Sequence, residues 1–228
     1  MIDTHTQEWL EYGKWNQRDL KMAEIWVDKL SSFILSKVDS LPSKNILDYG
    51  CSHFCLGFAL QNHLRSIDGF DIDRAVIEST RLKLERASAS RLFSSTEDIP
   101  KKKYDFVILS SVFQYFKDHD EAEKVLLTIR EQYLKDENSE IWLIDLIPEA
   151  YSSFQDAGCS ILHALKTGTI LPMIHHLYKA AFKSKKINLL KISPDQIERI
   201  AHKLGGRISF FKENLTPSRY RYSCKLEF

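Results

Sequence analysis

No apolar run in this 228-residue chain approaches the roughly 18 residues needed to cross a bilayer, which excludes a membrane-spanning helix. The opening MIDTHTQEWLEYGK lacks the basic start and apolar core of a secretory signal, so a cytoplasmic protein is expected. Cysteine is sparse. Cys51, Cys55, Cys159 and Cys224 form no C-x-x-C pair, and no second pair joins Cys51 and Cys55 to complete a zinc site. Histidines and carboxylates are scattered as well, so reduced thiols and no metal are expected. Charge of one sign is also missing: a net charge of +1 gives no general pull toward nucleic acid or membrane. Two short basic runs, Lys101–Lys103 and Lys183–Lys186, read as solvated surface. Neither internal repeats nor low-complexity tracts occur.

What is present is ordinary for a soluble globular protein, with 43% hydrophobic and 28% charged residues. The length suits one domain with a cap or small appendage. Met22, Ile25, Trp26, Leu30, Phe33, Ile34 and Val38 recur at helical spacing and predict a helix ahead of Pro42. Short buried strands are expected at residues 46–49, 66–70, 91–94, 106–109 and 141–144. Between them lie helical patterns: DRAVIESTRLKLERA with Asp73 as N-cap, and DHDEAEKVLLTIREQYL with Ala122, Val125, Leu126, Ile129 and Tyr133 on one face. Strand alternating with helix predicts a parallel sheet with both faces covered.

The tail reads differently. Ser193 as N-cap, Pro194 in the first turn, Gln196 three residues after the cap and Gly205 at the stop mark a helix. Runs 207–211 and 220–228 then predict an antiparallel hairpin closing the sheet edge. Residues 150–192 fit no sheet element and read as a helical insertion. The organisation expected is one domain: an N-terminal helical lid over 1–43, a core over 44–149, the insertion, and a closing helix and hairpin over 193–228.

Three motifs give this pattern a family likeness. ILDYGC at 46–51 ends an apolar run on an acid and a glycine. DGFDID at 68–73 follows about twenty residues later, and YDFVILSSVFQYF at 104–116 reads as a fourth strand and its exit. Their order and spacing resemble the class I S-adenosylmethionine-dependent methyltransferases, over residues 44–147 by motif and 193–228 by architecture. The resemblance implies a Rossmann-like α/β fold: a seven-stranded, mostly parallel sheet with an antiparallel C-terminal hairpin and helices on both faces. It implies S-adenosylmethionine as cofactor. Ligands of such sheets sit beyond the carboxyl ends of the strands, near the point where strand order reverses.

By that resemblance Asp71 takes the ribose, a task suited to an acceptor-only carboxylate, and Ile72 packs against the adenine. The alternative for Asp71 is to share helix capping with Asp73. Asp48 would orient the loop and the cofactor's amino end, or cap the turn. Gly50 supplies a tight turn of unusual φ/ψ. Ser110 stands at the cofactor side of the fourth-strand exit.

Two departures stand out. The family's G-x-G-x-G loop has Ser52 and Phe54 at its second and third glycine positions. In a dinucleotide fold these glycines admit a pyrophosphate and a close helix, so the change argues against NAD. Adenosylmethionine has no phosphate and asks less of the loop. A left-handed serine costs roughly 1–2 kcal/mol, which a hydroxyl bonded to ligand would offset. Phe54 must point away or push the next helix outward. In the second departure, Ser95 or Thr96 stands where the family often has an adenine-binding acid.

Methyl transfer is an in-line displacement, so alignment and exclusion of water dominate, and a base is needed only where the nucleophile must lose a proton. The candidates are Tyr115, His175 and His176 for catalysis, and Tyr12, Trp15, Gln114 and Asp145 for the acceptor. His163 also lies in the insertion. Adjacent histidines on a helix point about 100° apart, so at most one of His175 and His176 faces a pocket. Surface or structural roles remain open for them, and a pocket-wall role for Tyr115. Trp26 reads as part of a buried stripe. The fourth-strand exit SSVFQ lacks the Asn/Asp-Pro-Pro-aromatic motif of exocyclic-amine methylation. The expectation is therefore methyl transfer to O or N of a small molecule, with neither membrane nor nucleic acid as partner. A catalytically silent methyltransferase-like subunit is the alternative, and an RNA methyltransferase the third reading.

Overall fold

Alternation of apolar side chains along the strands decides the architecture. In the computed structural model, which describes residues 20–84, 90–150, 158–159, 161–162, 165, 189–216 and 218–228, neighbouring strand residues enter two separate cores. Leu47, Val107, Leu109, Ile141 and Leu143 face one core; Ile46, Phe106, Ile108, Trp142 and Ile144 face the other. Period-2 alternation with both faces apolar is what a fully covered sheet requires.

The strands are β1 (Asn45–Tyr49), β2 (Ser66–Phe70), β3 (Leu92–Phe93), β4 (Phe106–Ser110), β5 (Glu140–Leu146), β6 (Arg207–Phe210) and β7 (Tyr222–Glu227). They form one seven-stranded sheet in the order β3-β2-β1-β4-β5-β7-β6. Strands β1 to β5 are parallel, and β7 pairs antiparallel with both β5 and β6. Strand order reverses between β1 and β4, which lie side by side. The third strand is shorter than residues 91–94, and β5 is longer than 141–144.

Helices α1 (Leu20–Lys37), α2 (Cys55–Leu60) and α3 (Arg74–Arg81) cover one face, contributing Leu30, Ile34, Leu56, Leu60 and Ile77. The other face is covered by α4 (His119–Thr128) and α5 (Pro194–Lys203), through Ala122, Leu126, Ile197 and Ile200. Each such Leu or Ile side chain contributes about 1.5–3 kcal/mol by leaving water. The caps fall where the sequence puts them. Asp73 accepts from the amides of Ala75 and Val76, and Ser193 and Gln196 form a reciprocal capping box.

The lysine run has a structural use that sequence reading missed. Asp68, fully buried on β2, accepts from Lys103 Nζ (2.8 Å), Arg91 Nη2 (3.0 Å) and the Tyr104 hydroxyl (2.8 Å). Residues 101–103 lead into the amino end of β4, the edge opposite the strand exits. Of the lid expected over 1–43, residues 1–19 with Trp9, Tyr12 and Trp15 lie outside the described residues, as does the Trp26 side chain, while Leu20–Lys37 form α1 and bury Leu30 and Ile34 on a sheet face. Lys183–Lys186 and His163, His175 and His176 of the insertion also lie outside the described residues. No described helix is long and apolar enough to cross a membrane, and no described group of His, Cys, Asp and Glu could hold a metal ion.

Candidate cofactor and acceptor site

Backbone strain marks the site. Among the described residues six non-glycines have left-handed φ, and four of them, Ser52, Phe54, Ser111 and Asp145, follow or end strands β1, β4 and β5 at their carboxyl edge. Such conformations cost of order 1–3 kcal/mol each and persist where the surroundings over-determine them.

At the β1 exit the chain stays tied to β2: the amides of Gly50 and Cys51 donate to the Phe70 carbonyl at 2.7 and 2.9 Å. Gly50 has φ 84°, and a Cβ there would strike the side chain of Val112 beyond β4. Glycine here admits the β4 exit as well as the turn. Asp71 follows β2 and is 2% exposed. Its Oδ2 accepts from the Ser52 amide (2.8 Å), and its Oδ1 accepts from the Asp73 amide (2.9 Å). The carboxylate thus braces the cofactor loop, and each oxygen retains a further lone pair. Burial raises its pKa, and the two amide bonds oppose that shift.

Asp48 sits beside it, 4% exposed, with no hydrogen bond to its side chain among the described residues. Burial, reinforced by the Asp71 charge, pushes its carboxyl up to about 7. A carboxyl left unpartnered in this way fits a positively charged amino group. Ile72, 44% exposed beside the loop, fits an apolar ring face.

Phe54 points away from this edge. Its ring is fully buried, lies in edge-to-face contact with Phe58 (5.7 Å between centroids), and occupies the space that a Cβ on Gly57 or Gly69 would need. The missing loop glycine is answered by two others, one on α2 and one on β2, which make room for the phenyl ring.

The remaining candidates are distributed around the exits. Ser95 is half-buried, and its oxygen accepts from the Glu97 amide (3.3 Å), capping a short 3-10 turn over Thr96–Asp98. Thr96 is exposed, and its carbonyl accepts from the Tyr133 hydroxyl (3.0 Å). Ser110 ends β4, half-buried. Tyr115 and Gln114 lie on the next turn, Phe113–Tyr115, with Tyr115 half-buried and Gln114 buried. Asp145, expected to face an acceptor, is instead 2% exposed; its Oδ2 accepts from Ser111 Oγ (2.7 Å) and Arg221 Nη1 (2.6 Å). Ser111 and Arg221 were not candidates in the sequence. Arg221 lies just before β7, and only the fold brings it to the β5 exit.

The strand order, the loop between Asp48 and Asp71, and the exposed Ile72 together define a class I S-adenosylmethionine-dependent methyltransferase. A family model described as "Methyltransferase small domain" matches residues 22–147, and the chain belongs to that family. A ribosomal RNA small subunit methyltransferase C from Ectopseudomonas mendocina (strain ymp) is 30% identical over 115 residues, covering 48% of this chain and 35% of that protein. The chain thus spans about a third of that relative's length. Among solved structures, a putative O-methyltransferase from Nostoc punctiforme PCC 73102 aligns with a TM-score of 0.62 at 17% identity, covering 96% of this chain and 61% of that one. Magnesium protoporphyrin IX methyltransferase from Synechocystis PCC 6803, solved with S-adenosylhomocysteine (SAH) bound, aligns at 0.59 and 16% identity, covering 100% and 87%. At these identities the likeness concerns the fold. The curated relative's name removes the ground for setting nucleic acid aside, so that expectation is withdrawn.

Proposed function

We propose that this methyltransferase transfers the methyl group of S-adenosylmethionine to O or N of a small-molecule acceptor at the β4 and β5 exits. When bound, the cofactor supplies an electrophilic methyl on a sulfonium. Asp48 holds its amino group, Asp71 takes the ribose hydroxyls through its remaining lone pairs, and Ile72 packs on the adenine. Gly50 and Ser52 shape the loop, with Ser95, Thr96 and Ser110 at the rim. Tyr115 borders the transferred group. The observation carrying this reading is the buried, unpartnered Asp48 carboxyl beside the Asp71 brace, which suits a compact zwitterion with a diol.

The acceptor-side roles assigned to Tyr12, Trp15, His175 and His176 belong to residues outside those described, and they enter this reading from the family resemblance alone. In that reading the aromatics exclude water, and one histidine serves as base where the acceptor must lose a proton.

A second reading, an RNA acceptor, rests on the named relative. The described basic run does not favour it, because Lys101–Lys103 lie at the opposite sheet edge and Lys103 is bound to Asp68. Transfer of labelled methyl from S-adenosylmethionine to ribosomal RNA and to a small-metabolite extract separates the two. Label in RNA alone, with affinity falling steeply in salt, establishes the second reading. Failure to bind either S-adenosylmethionine or SAH at millimolar concentration returns the catalytically silent subunit.

A further inference from the structure

One turn joins the cofactor loop to the acceptor side. Residues 111–116 leave β4 and make a contact at each end. Toward the cofactor, the Val112 isopropyl group covers the α-carbon of Gly50: all three of its carbons would lie within 3.4 Å of a Cβ placed there. Toward the acceptor, the Gln114 carbonyl accepts from the Leu190 amide (2.9 Å).

The turn between these contacts is stiff. Ser111, at φ 57°, bonds through its amide to the Ile144 carbonyl of β5 (3.0 Å) and through its hydroxyl to Asp145 Oδ2 (2.7 Å). The Tyr115 amide closes on the Val112 carbonyl (2.9 Å), and Phe113, 2% exposed, anchors the turn in the core against Phe116. Valine is β-branched and restricted at χ1, so a push on its methyl groups passes to its backbone. Gln114 is the second residue after it. The Gly50 turn is tied to β2 through the Phe70 carbonyl, and Val112 is its contact on the β4 side. Ile192, two residues past Leu190, is held differently. Its amide donates to Ile147 just past β5 (2.8 Å), and its carbonyl accepts from the Tyr222 hydroxyl (2.9 Å). Leu190 answers to the turn, and Ile192 to the sheet.

We propose that Val112 is a positioning residue that couples cofactor occupancy to the acceptor side: a cofactor seated on the Gly50 turn restrains Val112, and the turn then tightens the Gln114–Leu190 hydrogen bond. The assignment rests on the methyltransferase reading above and adds a regulation of the same site, in which bound cofactor prepares the turn that carries Gln114 and Tyr115. Such coupling is reciprocal, so holding Leu190 in place also favours the cofactor.

The test is site-resolved amide hydrogen exchange of the whole chain by NMR, with and without saturating SAH. In the wild type SAH should slow exchange at Leu190 at least about fivefold more than at Ile192, the low end of couplings between sites. This ratio reads local opening at the turn, because stabilisation of the whole fold slows both amides alike. Val112→Ala should still bind SAH but lose the differential response. Val112→Ile, which keeps both branches, should retain it. Should Val112→Ala not fold, Val112→Leu, which removes the β-branch and keeps an apolar side chain, takes its place with the same expected loss. Equal slowing of Leu190 and Ile192 in the wild type overturns the proposal. So does a differential response that survives in the folded unbranched variant. SAH failing to saturate the wild type is scored first and overturns the methyltransferase reading itself, whereas saturation without the Leu190 response overturns the coupling alone.

Discussion

Asp71 Oδ2 and the Ser52 amide lie 2.8 Å apart, so the acid at the end of β2 holds the loop at the end of β1. One carboxylate thereby braces the cofactor loop and, in the proposed site, keeps lone pairs for the cofactor itself. Replacing it removes both. Asp71→Ala should weaken S-adenosylmethionine binding at least about tenfold and lower stability by about 1–3 kcal/mol, because two enclosed amides lose their acceptor. Calorimetry and urea unfolding measure the two effects. Unchanged cofactor affinity in a folded variant would remove Asp71 from the site.

The neighbouring acid gives a pH signature. Asp48 titrates near 7 when folded, against 3.8 as an ordinary aspartate. The folded state therefore binds the proton more tightly than the unfolded chain. The sign follows: this group favours folding below about 4, and its contribution is lost as pH rises toward 7. The loss is on the order of a few kcal/mol, at about 1.4 kcal/mol per pH unit. Asp48→Asn should remove this dependence, so the variant gains on the wild type between pH 5 and 8 in urea unfolding. Bound cofactor should recover the ionised form, with proton release on binding at pH 6.5 that the variant lacks. Calorimetry in buffers of different ionisation enthalpy counts that proton.

Much of this was readable from the chain. The period-2 strands, the Asp73 cap, the Ser193–Gln196 box and the closing hairpin all depend on neighbours in sequence, and all stand where expected. Asp48, Gly50 and Asp71 were legible because a strand end fixes where the next residues go. The Arg221–Asp145–Ser111 cluster was not, since its members lie 34 and 76 residues from Asp145 and meet only through the order β4-β5-β7. Phe54 resisted for a related reason. Its accommodation lies in Gly57 and Gly69, and no local rule links a loop phenylalanine to a glycine in the next strand.

That accommodation predicts a coupling. Phe54→Ala should cost about 3–5 kcal/mol through the cavity left in the core. Gly57→Ala should also destabilise, because its methyl would strike the Phe54 ring. In the double variant the methyl enters space that the ring has vacated, so the combined loss should be smaller than the sum by more than about 0.5 kcal/mol. Additive losses in denaturant unfolding would show that the ring and the helix do not share this space.

The buried pair Arg221–Asp145 at the other end of the site serves folding or the placing of Gln114, whose Oε1 accepts from Arg221 Nη1 (3.1 Å). Breaking it one-sidedly with Arg221→Met leaves Asp145 charged in a site 2% exposed, and should cost about 3–5 kcal/mol. Asp145→Asn in addition removes that charge and retains an acceptor for Ser111. Asparagine also tolerates the left-handed backbone at φ 72°. The double variant should therefore regain the part of the lost stability that the Asp145 charge accounts for, in urea unfolding at pH 7. Methyl transfer should not return with it, because no donor then turns the Gln114 amide. Recovery of stability and transfer together would assign Arg221 to the scaffold alone; recovery of stability without transfer assigns it to the acceptor site.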